Sequence, residues 1–384
     1  MMRQALFPWR RWVRWVRWLG WLGLSVAVST TSVAQAADYL VETIASGLVN
    51  PWAIAFLPDG RALVTERQGR LRVLEPDGRG GYRLDPVPVA GVPAVLAQGQ
   101  AGLFDVLVDP GFAANGLIYV SYAQGTRAAN HLRVLRARLD GKQLRETREI
   151  FASRPAKTDT QHFGGRMALL ADGTLVVGMG DGNLERTDAQ HLNTHLGKIV
   201  RIGRDGSVPA DNPFIGQPGA LPEIYSRGHR HPQGLVFVPV LGALFEHEHG
   251  ARGGDELNRI EPGANHGWPL TTDGIDYTYA RITPFRALPG ITPPLAHWTP
   301  SIGPAGLTYY DGTLFPAWRG SLFVAALKER SVRRVPLVNG LPGPQELMFT
   351  ELGERLRDVR SGPDGALYLL TDDPQGRVLR VRPR

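Results

Sequence analysis

Apolar residues in this chain fall in short runs, such as Arg61-Ala62-Leu63-Val64-Thr65, Leu117-Ile118-Tyr119-Val120-Ser121, Thr174-Leu175-Val176-Val177 and Ala366-Leu367-Tyr368-Leu369-Leu370. Runs of this length, rich in β-branched and aromatic residues and without helical spacing, predict strands. Asp-Gly pairs punctuate them at Asp59-Gly60, Asp77-Gly78, Asp140-Gly141, Asp172-Gly173, Asp205-Gly206, Asp311-Gly312 and Asp364-Gly365. Such pairs predict two-residue hairpin turns, because both central positions accept positive φ.

Three stretches resemble one another: Leu57-Pro58-Asp59-Gly60-Arg61-Ala62-Leu63-Val64, Leu170-Ala171-Asp172-Gly173-Thr174-Leu175-Val176-Val177 and Gly362-Pro363-Asp364-Gly365-Ala366-Leu367-Tyr368-Leu369. Self-similar units of short strands predict an all-β fold, a β-propeller, and units of about 40 to 60 residues with long loops fit a six-bladed ring. The early strand Tyr39-Leu40-Val41-Glu42-Thr43-Ile44 is expected to close that ring against the C-terminal blade. A pair of β-sandwiches is the alternative that short strands and turns also allow.

The N-terminus breaks the pattern. Arg3, Arg10, Arg11, Arg14 and Arg17 precede an apolar stretch from Leu19 to Val28, and Ala34-Gln35-Ala36 follows. This layout predicts a signal peptide over residues 1–36 and a single catalytic domain over 37–384, periplasmic or secreted. A membrane anchor is the alternative reading of the same stretch, and Arg10-Arg11 leaves both the general and the twin-arginine export routes open. Removing the leader's five arginines lowers the formal charge from +7 to +2. The mature chain then mixes Arg with Asp and Glu throughout, without the clustered basic face that nucleic acid requires. There are no cysteines, so disulfides, thiolate metal sites and cysteine nucleophiles are all excluded.

Chemistry is expected in the glycine-broken tracts between strands. His162, in Gln161-His162-Phe163-Gly164-Gly165-Arg166, is a candidate proton acceptor, with a packed loop histidine as the bland alternative. Arg230, in Gly228-His229-Arg230-His231-Pro232-Gln233-Gly234, offers a fork of donors to carboxylates or quinone oxygens, or a structural ion pair. His229 and His231 point to opposite sides if that segment is extended. His247 and His249 alternate likewise and could ligate zinc, but no third ligand is indicated. Gly178-Met179-Gly180-Asp181-Gly182 is only superficially a dinucleotide fingerprint, since no helix follows it.

Taken together, and in order, several motifs resemble the soluble aldose (glucose/sorbosone) dehydrogenases that use pyrroloquinoline quinone (PQQ). They are Gly47-Leu48-Val49-Asn50-Pro51-Trp52, Gly99-Gln100, His162-Phe163-Gly164-Gly165-Arg166, Gly228-His229-Arg230, Pro232-Gln233-Gly234, Gly263-Ala264-Asn265-His266-Gly267-Trp268-Pro269 and Arg355-Leu356-Arg357-Asp358-Val359. The resemblance implies that His162 takes the proton of the anomeric hydroxyl while hydride passes to the quinone, with Gln100 beside sugar and cofactor. It implies that Arg230 stabilises the quinone oxygen, and that Lys328, Arg355 and Arg357 pair with the cofactor's carboxylates. Tyr277 and His231 complete the implied cofactor contacts. One calcium would rest on the backbone carbonyls of Gly250 and Ala251, and a second, structural calcium near Glu256 and the carbonyl of His266.

The chain departs from the family at three places. Gln161 stands where glucose-oxidising members carry an aspartate, so the carboxylate expected to orient His162 is missing from that position. His231 replaces a usual asparagine, and His266 a common tyrosine. The implied activity is oxidation of an aldose to its lactone, with electrons passed to an unidentified acceptor by a monomer or homodimer that does not insert in the membrane. A calcium-dependent lactone hydrolase and a non-catalytic carbohydrate- or protein-binding propeller are the competing readings. The many cationic residues in the tracts favour an anionic cofactor over a bare ion.

Overall fold

The computed structural model describes residues 39–384, so the expected leader lies outside the described residues. Six antiparallel sheets follow one another along the chain, each with four strands apart from a fifth that carries an extra short strand. Their first strands are Pro51–Phe56, Leu103–Val108, Gly164–Leu169, Pro232–Val238, Pro304–Tyr310 and Leu356–Ser361. Each of these packs against the first strand of the next blade, and the last packs against the first, so they line one central channel. The arrangement is the expected six-bladed propeller.

The ring closes as the sequence suggests. Tyr39–Leu48 forms the outer strand of the last blade, pairing with Gly376–Pro383 in a register that sets Tyr39 opposite Pro383 and Thr43 opposite Leu379. Apolar side chains fill the gaps between blades; Leu63, Phe104, Val120, Met167 and Val177 belong to one cluster that runs across the first three.

The hairpins differ from expectation in their chemistry. At Asp59-Gly60, Asp172-Gly173 and Asp364-Gly365 the glycine alone takes positive φ, and the aspartate instead uses its side chain. Asp172 Oδ1 accepts from Thr174 N at 2.8 Å, and Asp59 Oδ1 from Arg61 N at 3.1 Å. The turn is therefore held by an aspartate that caps the backbone two residues on, not by two left-handed residues.

The channel is tied across by charge. Arg166, on the third blade's first strand, lies 3.1 Å from Asp358 and 3.5 Å from Asp105, while Arg360 reaches Asp105 at 2.9 Å and Asp358 at 3.0 Å. The Arg166 Nε also donates to Gln233 O at 2.8 Å, and its guanidinium lies 3.9 Å over the Trp52 ring. Two arginines and two aspartates, both carboxylates fully buried, thus join blades one, two, three, four and six. No helix among the described residues is long and apolar enough to cross a membrane.

Candidate active site

His162 occupies the turn entering the third blade's first strand, with a left-handed φ of 47°. Its amide donates to the Gln100 side-chain oxygen at 2.8 Å. The close approach of the next strand requires a glycine, since a Cβ on Gly180 would stand 2.1 Å from the His162 carbonyl oxygen. One residue on, Asp181 Oδ1 lies 2.7 Å from His162 Nδ1. Asp181 Oδ2 accepts from the Trp268 indole at 2.7 Å, and the Asp181 amide donates to Arg230 O at 2.9 Å. The carboxylate that Gln161 cannot provide is therefore supplied by Asp181, from the tract discounted as a dinucleotide motif.

Such a pair sets the tautomer: a proton on Nδ1 faces the carboxylate and leaves Nε2 with its lone pair. Burial lowers the His162 pKa most, the Asp181 hydrogen bond raises it in part, and the Arg230 charge lowers it again. Burial pushes Asp181 up, but the His162 hydrogen bond and the His162 and Arg230 charges bring it below the ordinary carboxylate value. Both shifts favour a neutral imidazole beside an anionic carboxylate.

Arg230 and His231 lie beside it. The Arg230 Nη1 donates to Gly250 O at 2.6 Å and His249 O at 3.2 Å, with its guanidinium 5.3 Å from the Trp268 ring and 6.0 Å from that of Tyr277. The amides of Arg230 and His231 both donate to Glu248 Oε2. His231 stacks on His162, ring centroids 4.8 Å apart, and meets His249 edge-on at 5.3 Å. His229 faces away and stacks on His266, so the two histidines flanking Arg230 do point to opposite sides. His247 and His249 do not converge as metal ligands; their Nε2 atoms meet the carbonyls of Gly306 and Pro304.

A cavity of about 390 Å³ brings together Gln100, His231, Lys328, Arg355 and Arg357, with His249 and the aromatic side chains of Trp52, Phe104 and Phe163 in its wall. His162 borders it through Gln100 and His231, whereas Tyr277 stands exposed near Arg230. Two lining residues were not anticipated. Asp372 accepts from Arg355 at 2.8 Å and from Arg357 at 3.2 Å, holding both guanidinium groups in place, and Arg67 adds a further cation. Four cations against one carboxylate leave the wall strongly positive.

The residues expected to hold calcium are less uniform. Gly250 O already points at the positive guanidinium of Arg230, and the Gly250 amide is fixed by Asp255 Oδ1 at 2.8 Å. Ala251 follows it, buried. Glu256 faces Glu248 across the sheet, and His266 lies in the same buried region, stacked on His229.

A propeller whose mouth holds a His–Asp pair, a guanidinium and a cationic cavity is a scaffold for chemistry beside an organic anion. This chain belongs to the glucose/sorbosone dehydrogenase family, whose model matches residues 48–380. It is 39% identical over 366 residues to aldose sugar dehydrogenase YliI of Escherichia coli (strain K12), across 94% of this chain and 97% of that one. A crystal structure of a glucose dehydrogenase superposes with TM-score 0.85 at 44% identity, covering 89% of this chain and 99% of that one. The PQQ-bound aldose sugar dehydrogenase from Streptomyces coelicolor superposes with TM-score 0.74 at 29% identity, covering 90% and 98%.

Proposed function

We propose that this chain oxidises aldose sugars at the anomeric carbon to lactones, using PQQ and passing electrons to an external acceptor. Its membership of the family supports a PQQ-dependent sugar oxidoreductase, and the observation that carries the mechanism is the His162–Asp181 pair beside Arg230.

The residues present fit the cofactor: Lys328, Arg355 and Arg357 give a tricarboxylate the charge-assisted partners it needs, and Arg67 stands by. When bound, PQQ supplies the carbon that accepts the sugar's hydride. His162 Nε2 takes the anomeric hydroxyl proton, and Asp181 stabilises the imidazolium that results. Arg230 would supply the positive charge that a quinone oxygen needs beside it, and Gln100, whose side-chain oxygen fixes the His162 backbone, would orient the sugar. His231 would contact the cofactor from the cavity wall, and Tyr277 from its exposed position beside Arg230. Calcium would rest on the carbonyls of Gly250 and Ala251, which requires Arg230 Nη1 to give up its hydrogen bond to Gly250 O. We place the enzyme in the periplasm or outside the cell on the strength of the arginine-led apolar N-terminus.

A bare-ion hydrolase is less well supported. Among the described residues, Asp372 is the one carboxylate lining the cavity, and it is engaged with Arg355 and Arg357. The test is to reconstitute the protein with PQQ and calcium and follow dye reduction with a panel of aldoses. Cofactor-dependent reduction with lactone formation is expected. Absence of both PQQ binding and reduction would overturn the reading.

A further inference from the structure

Behind the segment that carries Arg230, three side chains converge: His229, Glu246 and Glu248. One ligand atom each from His229, Glu246 and Glu248 lies within 4.8 Å of the others, and all three residues are buried. His229 Nδ1 stands 3.6 Å from Glu248 Oε1 and has no hydrogen-bond partner, while its Nε2 is 2.8 Å from Ser226 Oγ. With Nε2–H directed to that hydroxyl, Nδ1 presents a bare lone pair to a carboxylate oxygen. Glu246 Oε1 is also without a partner, its Oε2 being taken by Asn258 Nδ2 at 3.0 Å. Both ring nitrogens of the adjoining His266 are buried and unpartnered as well.

Acceptors facing acceptors out of water are costly, and among the described residues no arginine or lysine forms an ion pair with Glu246 or Glu248; the Arg230 charge acts on Glu248 only from farther off. The nearest buried lysine, Lys198, spends its ammonium on the carbonyls of Asp188 and Leu196. A cation between the three groups satisfies all of them. The His–Glu separation is close to the ~3.4 Å edge of a tetrahedron with bonds of about 2.0–2.1 Å. The chemistry of the set decides which cation. Calcium takes six to eight oxygens, whereas imidazole nitrogen with carboxylate selects a first-row transition ion or zinc. This donor set is distinct from the one implied for the structural calcium, Glu256 and the carbonyl of His266.

We propose that His229, Glu246 and Glu248 form a buried site for one divalent transition-class cation, zinc or manganese, which holds the Arg230 segment in place. The link is direct: Glu248 gives Oε1 to the ion and Oε2 to the amides of Arg230 and His231. Ser226 orients the histidine from behind, the role an outer partner plays at metal sites. These three residues are positioning residues, since none reaches the cavity.

The test uses the full chain purified without PQQ, so that it stands apart from the redox reading. Elemental analysis after dialysis should find about one equivalent of zinc or manganese per chain. Cobalt(II) loading should give a visible absorption band typical of nitrogen and oxygen ligation, a readout that needs no variant. Glu246→Gln, close in shape, should lower the retained metal at least tenfold and leave circular dichroism unchanged. Retention of calcium alone, retention of no metal, or equal transition-metal content in Glu246→Gln would each overturn the proposal.

Discussion

Trp268 donates its indole N–H to Asp181 at 2.7 Å, on the carboxylate oxygen that His162 does not use. A residue from the long fourth-blade loop thus fixes the carboxylate that fixes the base. Asp181→Asn should keep this geometry but present the wrong polarity to Nδ1, lowering kcat roughly 10²–10⁴-fold. His162→Ala should lose most turnover while PQQ affinity, read by fluorescence titration, stays near wild type. Wild-type turnover in either variant would show that the base is misassigned.

The pH profile should carry the mark of burial. A base works unprotonated, and His162 is held below the ordinary imidazole value of 6.5 by burial and by Arg230, against the opposing pull of Asp181. Lowering the pKa of a base moves the acid limb to lower pH, so the limb of log(kcat/KM) should have its midpoint below pH 6.5. A limb at or above 6.5 would contradict a buried, neutral His162.

Cofactor affinity should depend on the cationic wall separately from chemistry. Arg357→Gln removes one charge-assisted partner, so the Kd for PQQ should rise about 10- to 100-fold. At saturating PQQ, kcat should change little. An unchanged Kd would mean that the carboxylates sit elsewhere.

Arg166→Ala should act on the scaffold. It leaves Asp105 and Asp358 buried with Arg360 as their remaining cation, a loss of about 3 kcal/mol or more. Denaturant melts should show a lower midpoint with an unchanged slope. A midpoint within error of wild type would mean that water or Arg360 replaces the lost partner.

Much of this was legible in the sequence, for definable reasons. Blades are local objects, and the repeated Asp-Gly turns and short runs from Leu57 to Val64 and from Leu170 to Val177 mark them directly. The closing strand was readable because it precedes the first blade and pairs with the last. Gln100, His231, Lys328, Arg355 and Arg357 line one cavity; Gln100, Arg355 and Arg357 lie in the ordered motifs, whereas His231 and Lys328 lie outside them. What escaped is pairing across the ring. Asp181 sits 19 residues from His162, and nothing in Gly180-Asp181-Gly182 names its partner. Its one signal is a lone carboxylate between glycines at the end of a strand. Asp372 likewise lies in an ordinary turn-like stretch, and only the folded sheet brings it to Arg355 and Arg357. The turn aspartates were placed correctly but credited to backbone freedom, when their side chains do the holding.

The outer strand of the last blade has a consequence for how the molecule comes to exist. Tyr39–Leu48 meets Gly376–Pro383, more than 300 residues away, so the opening segment stays without its sheet until the final one is present. Contacts of such separation are slow to form, because the loop they close is nearly the whole chain. Glu42, paired with Arg380 and Arg382, ties that strand to the last one, and a chain clipped short of residue 376 would have five finished blades and nothing to fasten.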